Sequence, residues 1–176
     1  SWNPQWFAYG SFPLYFLKFF QEGLSFFTGE PLNDLRILGR LISVTADMGT
    51  IFFVYLIGKE MFGKREAVLS AFFVGFCVLH VQLSHFYAVD TLLTFFVTGI
   101  LFFLYKISRF CNLKYSIAVG LLTGLGIATK VSLFPIYFTI FISYVIFVTY
   151  PLKMPDSNSA SFFGRFRYAS KCFFVC

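Results

Sequence analysis

The sequence predicts an all-α fold, a polytopic transmembrane helical bundle of about five spans preceded by an interfacial loop and helix. Three observations carry this reading. Hydrophobic residues make up 58% of the 176 and charged residues only 12%, about half the charged share of an ordinary soluble domain. The 28 phenylalanines outnumber the 14 basic and 8 acidic residues combined. Mean hydropathy is +0.76, and the apolar residues gather in runs close to the ~20 needed to cross a bilayer. A soluble domain near this size leaves about a third of its unfolded surface in water, and this chain lacks the polar side chains to cover it. A soluble enzyme, a disordered tail and a nucleic-acid-binding domain are excluded, in spite of the net charge of +6.

Residues 1–35 read as a non-cytoplasmic loop. Trp2, Trp6, Phe7, Tyr9 and Tyr15 are amphipathic aromatics of the kind that collects at the membrane–water interface. Gly10-Ser11-Phe12-Pro13 starts a short helix, because proline is favoured in a first turn. Leu14, Leu17, Lys18 and Gln21 then separate apolar from polar faces, as for a helix lying in the interface. Gly29-Glu30-Pro31 ends it. Residues 36–152 form the transmembrane bundle, with spans predicted over 37–57, 67–83, 91–107, 115–129 and 133–150. A tight turn near Lys130–Pro135 separates the last two, since one helix of 36 residues would run about 54 Å. Residues 153–176 are a basic cytoplasmic loop and the start of a further span. The chain opens without Met and closes on Cys172-Phe173-Phe174-Val175-Cys176, so it reads as an internal piece of a longer protein. Cys77, Cys111, Cys172 and Cys176 have neither the spacing of a metal or redox site nor that of a disulfide framework.

Short loops rich in Lys and Arg face the cytoplasm. Alternating spans put Lys59, Lys64, Arg65, Lys106, Arg109, Lys114, Lys153, Arg165, Arg167 and Lys171 on one side, ten of the 14 basic residues. That side is the cytoplasmic one, so the net charge is a topology signal.

Ionisable groups in or beside spans are costly and mark function by default. Arg36 and Arg40 lie one turn apart at the outer end of the first span, with Asp47 seven residues further on the same face. Asp90 precedes the third span, and Lys130 ends the fourth. The topology places Arg36, Arg40, Asp90 and Lys130 at similar depth on the non-cytoplasmic side, a set able to hold an anionic head group with Asp90 orienting a cation. The plainer alternative is an arginine snorkelling to phosphates and a Lys–Asp pair neutralising itself. His80 and His85 are five apart, wrong for a helical metal pair; His85 near Asp90 is a ligand or donor candidate, or a satisfied helix-end histidine. Gly120 and Gly124, followed by Gly126, offer a flat face for helix packing.

No Walker loop, Gly-x-Ser-x-Gly elbow or His-Glu-x-x-His stands in the sequence. Two rivals to an enzyme are a transporter or channel module, in which Asp47, Asp90 and Lys130 line a path, and a non-catalytic membrane assembly subunit. The first requires inverted repeats, and none is evident.

The order of features resembles a family. Asn3-Pro4-Gln5-Trp6-Phe7 with Tyr9-Gly10-Ser11-Phe12-Pro13-Leu14-Tyr15 resembles the first outer loop of the GT-C membrane glycosyltransferases, closest to the protein O-mannosyltransferase-like branch, glycosyltransferase family 39. Arg40-Leu41-Ile42-Ser43, Asp47, Tyr55-Leu56-Ile57-Gly58 and Phe62-Gly63 are similar to its second transmembrane helix. Ser84-His85-Phe86 with Asp90 resembles the outer end of the third, and Gly124 to Thr129-Lys130 the fifth. The resemblance covers about residues 3–135.

It implies an integral membrane enzyme, of the plasma membrane or endoplasmic reticulum, that moves a sugar from a polyprenyl-phosphate carrier to an unknown acceptor on the non-cytoplasmic face. It matches Asp90 and Lys130 to residues that organise the lipid-phosphate site and Arg40 to an arginine of the second helix. Arg36 and His85 complete the candidate substrate-binding set, with Asp47, Tyr9 and Tyr15 in support. The family's catalytic base, an acidic residue at the start of the first outer loop, would precede Ser1, so no catalytic residue is expected within the chain. No cofactor is required by the sequence. Some relatives bind a divalent metal, but Gly10-Ser11 stands where the related aminoarabinose transferases have an acidic–basic pair, so no metal ligand is assigned. The expected partners are the lipid-linked sugar and the bilayer, with no nucleic acid.

Overall fold

The computed structural model describes residues 10–28, 35–78, 82–83, 87–109, 112–149 and 169–170. Among them the chain forms six helices, α1 Phe12–Thr28, α2 Leu35–Met61, α3 Lys64–Gly75, α4 Val89–Arg109, α5 Leu113–Thr129 and α6 Ile136–Thr149, with a 3-10 turn at Val131–Leu133 and no strand. Three segments are long and apolar enough to cross a membrane, Leu35–Met61, Val89–Arg109 and Val131–Thr149, and Leu113–Thr129 is a shorter apolar helix. The bundle predicted from composition is present.

Each turn has a local cause. Pro13 sits in the first turn of α1, where its missing N–H costs nothing. Between α2 and α3 only Phe62 and Gly63 intervene, and Gly63 takes a φ of 126°, a region that side chains resist. Asn112 caps α5 by accepting from the Lys114 N–H at 3.1 Å. Lys130 is extended, with φ −155° and ψ 121°, which breaks the chain between α5 and the turn leading into α6. The separation of the last two helices therefore lies where the sequence places it.

The second expected span is different. A helix over 67–83 is interrupted: α3 has 12 residues and stops at Gly75, a rise of about 18 Å. Its last turn tightens, with the Cys77 N–H bonding the Val74 carbonyl at 3.1 Å. Apolar content there marks a lipid-facing segment but does not guarantee helical continuity, and Gly75 is a weak helix former at the point of the break.

α4 is the post of the bundle, packing against α2, α5 and α6. On one flank Leu38, Ile42 and Ala46 of α2 meet Leu92 and Phe96. On the other, Ile100, Leu104 and Ile107 pack with Val119 of α5 and with Ile136, Ile140 and Phe147 of α6. Glycines let the helices approach: a Cβ on Gly49 would lie 2.4 Å from the Phe95 ring, and one on Gly58 would lie 2.9 Å from the Ala67 Cα. Of the α5 glycines expected to serve this purpose, Gly126 does, set against Leu133 and Phe96, whereas a Cβ on Gly124 meets nothing within 4 Å.

Hydrogen bonds between side chains and neighbouring helices complete the core, as is usual where lipid offers no partner. Ser143 Oγ donates to the Leu104 carbonyl at 2.8 Å, and Ser116 Oγ and Tyr144 Oη share a bond of 2.8 Å. The outward faces remain apolar: Phe72, Phe73, Phe138 and Phe141 are all more than half exposed, as they would be against hydrocarbon.

Removing the α5–α6 bond with Tyr144→Phe is expected to lower stability by about 0.5–2 kcal/mol. In thermal unfolding of the detergent-solubilised protein, Ser116→Ala combined with Tyr144→Phe should cost less than the two changes summed. Strict additivity would show that the bond carries no coupling.

Candidate functional site

The helix order sets two charged ends. Lys59 lies in the last turn of α2, Lys64 and Arg65 in the first of α3, Lys106 and Arg109 in the last of α4, and Lys114 at the start of α5. The other end gathers the start of α2, the start of α4 and the end of α5, bearing Arg36 and Arg40, Asp90, and Lys130. Lys153, Arg165, Arg167 and Lys171 lie outside the described residues.

At this second end Lys130 Nζ meets Asp90 Oδ1 at 2.9 Å. The Asp90 carboxylate sits in the first turn of α4, where the helix dipole favours an anion. Lys130 reaches it because the extended backbone at this residue turns the chain off the end of α5. The side chains are 30% and 54% exposed, so a pair of this kind contributes only ~0–1 kcal/mol of stability. Its significance is positional: it fixes an ammonium at one place on the surface.

A latch holds both partners. The Gly10 N–H donates to the Thr129 carbonyl at 3.0 Å, one residue before Lys130. A Cβ on Gly10 would fall 1.9 Å from the Ala128 carbonyl oxygen, so only glycine permits the approach. Tyr87 Oη donates to the Pro13 carbonyl, three residues before Asp90, and its ring lies over Gly39 of α2. Burial raises the Tyr87 phenol to about 12, which keeps it a donor at every physiological pH. The start of α1 is thus tied to α5, to the entry of α4 and, through the Tyr87 ring, to α2.

The remaining candidates divide. Arg36 and Arg40 are exposed and Asp47 half-buried, and all three share one face of α2 with Ile51 and Gly58 by helical spacing. Ile51 and Gly58 face Gly75 and Ala67 of α3. The charged positions therefore continue the α3-facing stripe beyond the level at which α3 stops. Leu38, Leu41, Ile42 and Thr45 occupy a different face, toward α1 and α4. The structure brings together Asp90 and Lys130 of the expected set, while Arg36 and Arg40 share their end of the bundle on another helix face. Tyr15 is half exposed on α1. Tyr9, His80 and His85 lie outside the described residues, as do Cys111, Cys172 and Cys176. Among the described residues no group of three or more His, Cys, Asp or Glu side chains is arranged to hold a metal ion.

Sequence reasoning passed over Gly10, Tyr87 and the phenylalanines of α1. Gly10 was legible only as a helix-start residue, because its contact partner is more than a hundred positions away. The spacing of Phe12, Phe16 and Phe20 at i, i+4 and i+8 is a signal that could have found one continuous face.

A family model described as dolichyl-phosphate-mannose-protein mannosyltransferase matches residues 19–157. The chain belongs to this family. No curated protein and no solved structure matches it. Membership makes the chain that of a multi-pass membrane glycosyltransferase of the mannosyltransferase type, and it gives the transporter reading no support. The match takes in α2 to α6 and most of α1, so both members of the ion pair fall inside the mannosyltransferase region.

Two variants test the latch. Gly10→Ala should destabilise the mannosyltransferase fold by about 1–3 kcal/mol through overpacking against backbone, seen as a lowered unfolding midpoint. The raised Tyr87 pKa makes its contribution full below pH 10 and lost as pH rises toward about 12. Tyr87→Phe should flatten stability across that window, and an unchanged profile would contradict the assignment.

Proposed function

We propose that this chain carries the donor-phosphate half of a glycosyl-transfer site that uses a polyprenyl-phosphate sugar, with Lys130 and Asp90 as its charged core. The observation that carries the reading is the Asp90–Lys130 pair at one end of the bundle, 2.9 Å apart and accessible, in a chain of the mannosyltransferase family. Cleavage of the bond between the sugar C1 and the phosphate oxygen leaves the electron pair on that oxygen, so negative charge grows on the lipid phosphate. A fixed cation stabilises that charge more in the transition state than in the ground state. Lys130 supplies it through an ammonium with three N–H donors, and Asp90 holds the ammonium in place. Deprotonation of the acceptor hydroxyl requires a general base, a role this proposal assigns to no residue of the chain.

The face follows from charge. The opposite end carries Lys59, Lys64, Arg65, Lys106, Arg109 and Lys114, which the positive-inside rule directs to the cytoplasm. The Asp90–Lys130 end is then non-cytoplasmic, the side on which sugar and acceptor meet. Arg40, exposed at that end, acts at longer range, on a face of α2 separate from the pair.

A second ion pair provides an internal control. Lys106 Nζ and Glu60 Oε1 meet at 2.6 Å at the other end of α4, also close to the surface. In an assay with a polyprenyl-phosphate mannose donor, Lys130→Ala and Asp90→Asn should each reduce transfer ~100-fold, the usual scale for losing one charge-stabilising group. Lys106→Ala should retain near-normal turnover. Full activity in Lys130→Ala, or equal loss in Lys106→Ala, would refute the assignment.

A further inference from the structure

The basic end of the bundle joins the α2–α3 turn to the end of α4. Tyr105 Oη donates to the Glu60 carbonyl at 3.0 Å, and Lys106 Nζ meets Glu60 Oε1 at 2.6 Å. This contact consumes Glu60. The Glu66 carboxylate is turned back over the start of its own helix, toward Gly63. Lys59, Lys64, Arg65 and Lys114 are all exposed, and among the described residues they form no ion pair. Arg109, also exposed, lies over the Tyr105 ring, 4.9 Å from its centroid.

Helix stability accounts for only part of this charge. Lys59, Lys106 and Arg109 stand in last turns, where the helix dipole favours a cation. Lys64 and Arg65 stand in the first turn of α3 and Lys114 in the first turn of α5, where the dipole opposes one. The positive-inside rule explains which side of the membrane they occupy, but not why they cluster without carboxylate partners. Their compensation must come from outside the fold. Between Lys59 and Lys64 the turn also exposes Met61 (49%) and Phe62 (71%). A soluble acidic peptide would answer the charges and leave Phe62 in water. An amphiphile with an anionic head answers both, and a leaflet of anionic phospholipid supplies it at this depth. We infer that the basic end binds anionic phospholipids, with headgroup phosphates at Lys64 and Arg65 and acyl chains beside Met61 and Phe62. Lys114, at the start of α5, adds to the attraction. The inference goes beyond the donor-phosphate reading and uses none of its residues.

Quenching by brominated lipids tests the site locally in the full protein reconstituted in liposomes. Phe62→Trp is made the sole tryptophan by Trp2→Phe and Trp6→Phe. Each Lys or Arg near a surface raises attraction for anionic lipid roughly fivefold. Brominated phosphatidylglycerol should therefore half-quench Trp at a membrane fraction at least about fivefold below that needed with brominated phosphatidylcholine. Adding Lys64→Gln and Arg65→Gln should bring the two lipids to parity, whereas Lys64→Arg with Arg65→Lys should keep the preference. Equal quenching in the parent, or a preference that survives loss of both cations, would overturn the inference. Displacement of phosphatidylglycerol by soluble polyglutamate would also overturn it, in favour of an acidic peptide partner.

A second measurement leaves Phe62 and the tryptophans in place. Spin-labelled phosphatidylglycerol should associate with the native chain more than spin-labelled phosphatidylcholine does. The excess should fall at least about fivefold in the combined Lys64→Gln, Arg65→Gln and Lys114→Gln variant. Lys18→Gln is the control, because Lys18 already faces Glu22 on α1 at 3.7 Å, and it should leave the excess unchanged. No excess in the native chain, or an equal fall in Lys18→Gln, would overturn the site.

Discussion

Scarcity of charge governs this structure. A chain with so few ionisable residues in so much apolar surface sends most of those in its spanning helices to the helix ends, where water or a partner meets them, because hydrocarbon offers neither; Asp47, midway along α2, is the exception. α4 shows the result most clearly. Its first turn carries Asp90, paired with Lys130, and its last turns carry Lys106, paired with Glu60. Each sign suits the helix dipole at its own end. Between the two ion pairs run four turns whose buried residues are Leu92, Phe96, Ile100 and Leu104 with Thr91 and Gly99; α2, α5 and α6 pack along them, and Phe12 of α1 stands edge-on to Phe96. Weak individually, the pairs mark the two boundaries between which the apolar core is built.

The two ends of α4 differ in what surrounds the pair. At the basic end the pair is backed by Tyr105, whose hydroxyl donates to the Glu60 carbonyl at 3.0 Å and whose ring carries the Arg109 guanidinium. It reads as an anchor. At the other end the Asp90–Lys130 pair is flanked by the backbone latch of Gly10 and Tyr87. The same chemical pair thus stands in two different surroundings.

Much of this was legible in the sequence, and the exceptions have physical causes. The helices over α2, α4, α5 and α6 follow from apolar run length, and the break at Lys130 follows from helix arithmetic and Pro135. Asp90 and Lys130 were readable because alternation of spans brings their ends to one side. The interruption of α3 was not, since hydropathy is blind to whether an apolar segment stays helical. Glycine spacing specifies a face but not a neighbour, so Gly124 meets nothing, while Gly126 gains its role once Leu133 folds back upon it. Arg36 and Arg40 share a depth with Asp90, but depth does not fix direction around a helix. The latch of Gly10 and Tyr87 depends on contacts across most of the chain, beyond any local pattern.

The central claim is that α4 separates its two ion pairs to opposite faces of the membrane, with the lipid-phosphate end outside. Sidedness of labelling measures it directly. In a background lacking the four native cysteines, Lys130→Cys and Lys106→Cys would each be exposed to a membrane-impermeant maleimide in sealed vesicles of known orientation. The account predicts that Lys130→Cys reacts only from the non-cytoplasmic side and Lys106→Cys only from the cytoplasmic side. Reaction of both from the same side would contradict it.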